Sequence, residues 1–120
     1  MVKTVKKQDD KTVQEILTII KKSLEDGKAE NVQVIDLAGK SSIANYMVVA
    51  SGTSNRHVAA LAEATQMKLK EKGHKSISEG EEKADWILID AYDVIVHIFR
   101  PEVREFYSLE KMWTMAKRVE

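Results

Sequence analysis

An apolar run, Tyr46-Met47-Val48-Val49-Ala50, ends in the small-residue turn Ser51-Gly52-Thr53-Ser54, and a helical pattern begins at once. A strand that is apolar on both alternating faces must be interior and covered on both sides. Ser54 is a suitable N-cap, its hydroxyl able to accept from a backbone N–H of the first turn. Val58, Leu61, Ala62, Thr65 and Leu69 then form one helical stripe, and Gly73 stands where the helix should stop. A short strand near Lys75 to Ser78 follows. Strand, helix, strand implies a right-handed crossover and at least one parallel strand pair. The chain is thereby confined to an α/β fold.

The remaining segments fit around that unit. Thr12 and Glu15 have capping-box spacing, and Val13, Ile16, Leu17, Ile20 and Leu24 share one helical face, with Gly27 at the position of a left-handed stop. Val32 to Leu37 reads as a strand, and Gly39 to Asn45 as a polar loop. Trp86 to Asp90 and Val94 to Phe99 are strong strand signals separated only by Ala91, Tyr92 and Asp93, which predicts a tight hairpin. Pro101 suits the first turn of a helix, with Glu102 favoured beside its N-terminus; Val103, Phe106 and Tyr107 face inward, and Ser108 caps a last turn carrying Leu109, Met112 and Trp113. The order is α-β-β-α-β-β-β-α-α: a mixed five-stranded sheet with flanking helices. At 120 residues and 43% hydrophobic content, this is one domain, residues 12–117, behind a flexible N-terminal tail of residues 1–11.

Composition excludes several classes of function. No apolar stretch approaches the ~20 residues that span a bilayer, and the charged N-terminus lacks a secretory core. There is no cysteine, hence no disulfide, thiolate zinc site or cysteine nucleophile. A cytoplasmic protein is the expectation. Lys plus Arg equals Asp plus Glu, 19 each, so the basic surplus usual in a DNA-binding protein is missing.

Four features carry potential chemistry. Gly52-Thr53-Ser54 ahead of a helix resembles a phosphate cradle, with Arg56 nearby, but the Walker and dinucleotide signatures need further glycines. A strand-to-helix corner capped by Ser54 is the favoured reading. Asp90 and Asp93 flank the hairpin tip. They can be ordinary turn residues, can meet basic groups on a partner, or, least favoured, can hold Mg²⁺. His57, His74 and His97 are too scattered for a local metal motif; His97 alternates with Ile95 and Phe99 and should be a half-buried histidine with one hydrogen-bond partner. No nucleophile elbow occurs. Trp86 and Trp113 are core by default. Tyr92, however, sits where a tight turn prefers glycine and should be exposed.

Three stretches, "GKSSIANYMVVASGTSNRHV", "EGEEKADWILIDAYDVIVHIF" and "RPEVREFYSLEKMW", together resemble the ribosomal silencing factor family, also called Iojap-like proteins. The likeness runs from about residue 12 to about 115. It implies a nucleotidyltransferase-like α/β fold without catalytic equipment. It also implies a translational repressor that binds protein fourteen on the intersubunit face of the large ribosomal subunit. There it blocks joining of the small subunit, chiefly when nutrients are short. Homodimers are a further implication. The family usually reads Asp-x-Gly-Asp at the hairpin, where this chain has Asp90-Ala91-Tyr92-Asp93.

A steric blocker needs no cofactor, no metal and no catalytic residue. Ribosomal proteins are generally basic, so the expected contact is an acidic and aromatic one: Trp86, Ile87, Asp90, Tyr92 and Asp93. The alternative from another class is a nucleotidyltransferase-like enzyme or nucleotide-binding module using Gly52 to Ser54 and Asp90 with Asp93. A plain RNA-binding module is a third.

Overall fold

A computed structural model describes residues 10–37, 44–80 and 84–102. Helix α1 (Asp10–Asp26) leads into strand β1 (Glu30–Asp36), β2 (Tyr46–Ser51), helix α2 (Asn55–Glu71), β3 (Ile77–Glu79), β4 (Trp86–Asp90) and β5 (Val94–Phe99). The strands form one mixed sheet in the order β1-β2-β5-β4-β3. All neighbours are antiparallel except β2 and β5, which run parallel from Tyr46 opposite Val94 to Ser51 opposite Phe99. The expected parallel pair therefore exists. The strand that follows the crossover helix, β3, goes to the far edge, and the hairpin strands β4 and β5 lie between it and β2.

Both helices cover the same face of the sheet. The α1 stripe Val13, Ile16, Leu17, Ile20 and Leu24 and the α2 stripe Val58, Leu61, Ala62 and Leu69 pack on Val48, Ala50, Ile87, Ile89, Val94, Val96 and Ile98. The predicted inward residues of both helices are all buried, Thr65 included. Thr65 Oγ1 bonds Ser23 Oγ at 3.1 Å, so the polar pair inside the helix–helix seam is satisfied.

Details at the helix ends differ from expectation. α1 already contains Asp10 and Lys11, so Thr12 lies inside the helix rather than at its cap. The left-handed residue after α1 is Lys28, with φ 64, and not Gly27. Gly27 serves a different need: a Cβ there would run into Leu61 of α2, so its missing side chain lets the two helices approach. β1 is an edge strand with Val32 and Val34 exposed, and it begins two residues earlier than expected, with a register shift between Glu30 and Gln33. Pro101 and Glu102 are helical; the rest of the helical segment expected there, Trp113 included, lies outside the described residues, as do residues 38–43.

Candidate functional site

The corner after β2 uses its polar atoms internally. Ser54 is the N-cap of α2, its hydroxyl accepting from His57 N at 3.1 Å. Thr53 N donates to His57 Nδ1 at 2.9 Å, and Val58 N donates to Ser54 O. His57 Nε2 lies 2.8 Å from the Gly27 carbonyl, which makes Nε2 the protonated nitrogen. Gly52 is there for space: an added Cβ would stand 2.9 Å from both Val58 N and Val58 Cγ2. Gly52 N, Thr53 N and His57 N, amides of this corner, are thus engaged within the protein and not aimed at an anion. His57 ties this corner to the turn after α1.

The hairpin tip is arranged in the opposite sense. Ala91 N donates to Val94 O at 3.0 Å, closing a loop of Tyr92 and Asp93. Tyr92 takes φ 71, the positive value that primed hairpin turns require at their first loop position and that normally selects glycine. Asp90 Oδ1 accepts from Tyr92 N at 2.9 Å and steadies the turn. Tyr92 is 47% exposed and Asp90 is exposed.

Two of the five expected contact residues are not at the surface. Ile87 is fully buried against the helices, because neighbours along a strand point to opposite faces and Trp86 takes the other one. Asp93 is only 2% exposed. Its carbonyl accepts from Asn45 N at 2.8 Å and Tyr46 N at 3.0 Å, which pins the start of β2 to the tip. Asp90 and Asp93 therefore do not present a joint pair of carboxylates to solvent. Among the described residues, no group of three or more His, Asp or Glu side chains is placed to hold a metal.

The sheet face away from the helices carries the remaining candidates. Pairing of Trp86 with Phe99, Leu88 with His97 and Asp90 with Ile95 sets all six on that face. Leu37, Met47, Val49 and Phe99 are its buried centre, with Ile35 and Trp86 packed against them. Ile35, Trp86, Leu88, Ile95 and His97 remain half-buried. Trp86 Nε1 donates to His97 Nδ1 at 3.0 Å, and the Trp86 ring lies 5.5 Å from that of Phe99, tilted by 50°. Burial pushes His97 down to about 4, so at neutral pH it is uncharged, accepts through Nδ1 and carries its proton on Nε2. Among the described residues His97 has one hydrogen-bond partner and is half-buried, as the sequence leads one to expect.

One residue escaped sequence reasoning. Asp85, just before β4, accepts from Asn55 Nδ2 at 2.8 Å and pairs with Arg100 Nε at 3.2 Å, joining the start of α2 to the end of β5. Its partners are 30 and 15 positions away, so no local pattern signals it.

Fold and site define a small α/β domain with a half-covered aromatic sheet face and an exposed hairpin tip. Residues 10–120 match the family described as "Ribosomal silencing factor during starvation", and the chain belongs to this family. Ribosomal silencing factor RsfS of Zymomonas mobilis is 52% identical over 99 residues, covering 82% of this chain and 74% of the relative. A crystal structure of a Chromobacterium violaceum protein superposes with TM-score 0.82 at 43% identity, covering 84% of this chain and 85% of that one. One from Bacillus halodurans gives TM-score 0.77 at 36% identity, covering 83% and 94%. The mixed five-stranded architecture is thus the one shared by these relatives.

Proposed function

We propose that the chain is a translational repressor of the cytoplasm that binds the large ribosomal subunit, on its protein fourteen, and keeps the small subunit from joining. It acts by occupying space, without cofactor, metal or chemistry. Family membership supports the ribosome as target. The observation in the fold that carries the mode of action is the helix-free sheet face, which holds Trp86, Leu88, Ile95 and His97 half-exposed beside Asp90 and Tyr92. Trp86 and Asp90 are four residues apart on one strand face, about 13 Å at ~3.3 Å per residue. A standard interface of about 800 Å² per partner covers that span. Trp86 supplies the aromatic anchor, and Asp90 the acidic group for a basic partner surface. Ile87 and Asp93 support this surface from within.

The rival reading as a nucleotidyltransferase-like enzyme loses ground at both of its sites, since the corner amides are engaged and Asp93 is buried. The test is co-sedimentation with separated subunits followed by reassociation. Saturable binding to the large subunit alone, with fewer joined ribosomes, is expected. Trp86→Ala together with Asp90→Arg should abolish both effects in a protein that remains folded. Equal binding to both subunits, or undiminished binding by that variant, would sink the contact reading. Sedimentation of the free protein in the same experiment reports whether it is a homodimer.

A further inference from the structure

A cavity of about 600 Å³ opens at the corner where the end of α2, the start of β3 and the hairpin tip meet. Its volume lies in the ~300–1,000 Å³ range of small-molecule sites. Ile77 and Tyr92 form an apolar wall, and they are 68% and 47% exposed, high values for side chains of their size. Gly73 contributes bare backbone, with no atom within 4 Å of where its Cβ would be. Lys70 and Lys75 bring two ammonium groups to the lining, and among the described residues neither has an ion-pair partner. Asp90 completes the rim; one carboxylate oxygen holds Tyr92 N, and the other can accept from a guest. Gln66 Nε2 bonds Ser76 Oγ at 3.3 Å across the inner wall, and His74 behind them lies 3.3 Å from Glu15 Oε1, so the wall is internally braced.

Tyr92 is the telling residue. It holds a backbone conformation that favours glycine, and in return its ring is left half in water. Internal packing does not account for that choice; presentation of the ring at the surface, where it lines the cavity, does. A planar ring laid on Tyr92 and Ile77, an N–H on that ring donating to Asp90, and an anionic group reaching Lys70 and Lys75 would use every exposed group of the lining. We infer that this cavity binds a nucleoside phosphate, base against Tyr92 and phosphate against Lys70 and Lys75. The cavity shares Asp90 and Tyr92 with the proposed ribosome contact, so nucleotide binding is tested on the isolated full chain, where the ribosome plays no part.

The experiment is isothermal titration with guanosine, adenosine and cytidine mono- and triphosphates, and with inorganic phosphate as the bare anion. Nucleotides should bind and phosphate should not compete at equal concentration. Tyr92→Gly should weaken binding about tenfold through loss of the ring contact. Lys70→Glu with Lys75→Glu should weaken the triphosphates more than the monophosphates. Thermal melts establish that both variants fold. Absence of binding at millimolar nucleotide, equal competition by inorganic phosphate, or unchanged affinity in Tyr92→Gly would each overturn the assignment.

Discussion

The two faces of the sheet are built from alternate residues of the same strands, yet they differ in kind. Ile87, Ile89, Val96 and Ile98 point to the helices and are wholly buried among aliphatic side chains. Their neighbours Trp86, Leu88, Ile95 and His97 point the other way, remain half-buried, and include a hydrogen-bonded indole–imidazole pair. A face that served stability alone would gain little from a tryptophan and a neutral histidine joined by a polar contact. The helix side is where the fold is held together. The other side is the one that the proposed function gives to a partner.

Substitutions should separate these roles. The largest effect is expected from Ile89→Ala or Ile98→Ala, which leave a void under the helices and should cost about 2–5 kcal/mol in urea unfolding. The fraction that folds should still bind the large subunit normally. Loss of binding per folded molecule would break the contrast.

Acidification should act on the other face. His97 is held neutral in the fold, down to about 4 against an ordinary 6.5, so below 6.5 the unfolded chain takes up a proton that the folded chain refuses. Its contribution is full above pH 6.5 and is lost as pH falls towards 4. The full loss is on the order of 3–4 kcal/mol at ~1.4 kcal/mol per unit. His97→Phe should flatten that part of the stability–pH curve. An unchanged slope would place the proton uptake elsewhere.

Trp86→Phe keeps a ring but removes the N–H donor, and should cost about 1 kcal/mol. It should also raise the His97 titration in an NMR pH series, since Nδ1 is freed to accept a proton. Tyr92→Gly has the smallest expected effect on stability, and an opposite sign. Relief of the positive φ should stabilise by up to about 1 kcal/mol, the gain reduced by glycine's freedom in the unfolded chain. A higher melting temperature with weaker large-subunit binding would show that the tyrosine is kept for contact.

Legibility followed the range of the interactions. The inner stripe of α2 was readable to the last residue, because a helix repeats locally and burial follows the repeat. The β4–β5 hairpin was equally plain. Ile87 was misplaced although the two-residue period of a strand already sends it away from Trp86. Asp93 was misplaced for a deeper reason: it is buried where its carbonyl meets Asn45 and Tyr46, which are distant in sequence. Long range also hid the pairing of β2 with β5, the joining role of Asp85, and the approach of Gly27 to Leu61. At the corner of Gly52 to Ser54, the capping serine was legible and the engagement of His57 with Gly27 was not.

The position of β5 has a consequence for how the chain is made. It is the middle strand of the sheet and the last of the five in sequence. During synthesis β2 emerges long before it, and for all that interval has β1 on one side and an apolar, unpaired edge on the other. Only when Val94 to Phe99 leave the exit tunnel can that edge be closed and β3 and β4 be joined to β1 and β2. A nascent chain halted within the hairpin is therefore two incomplete half-sheets, each exposing an edge on which misassembly or chaperone capture can begin.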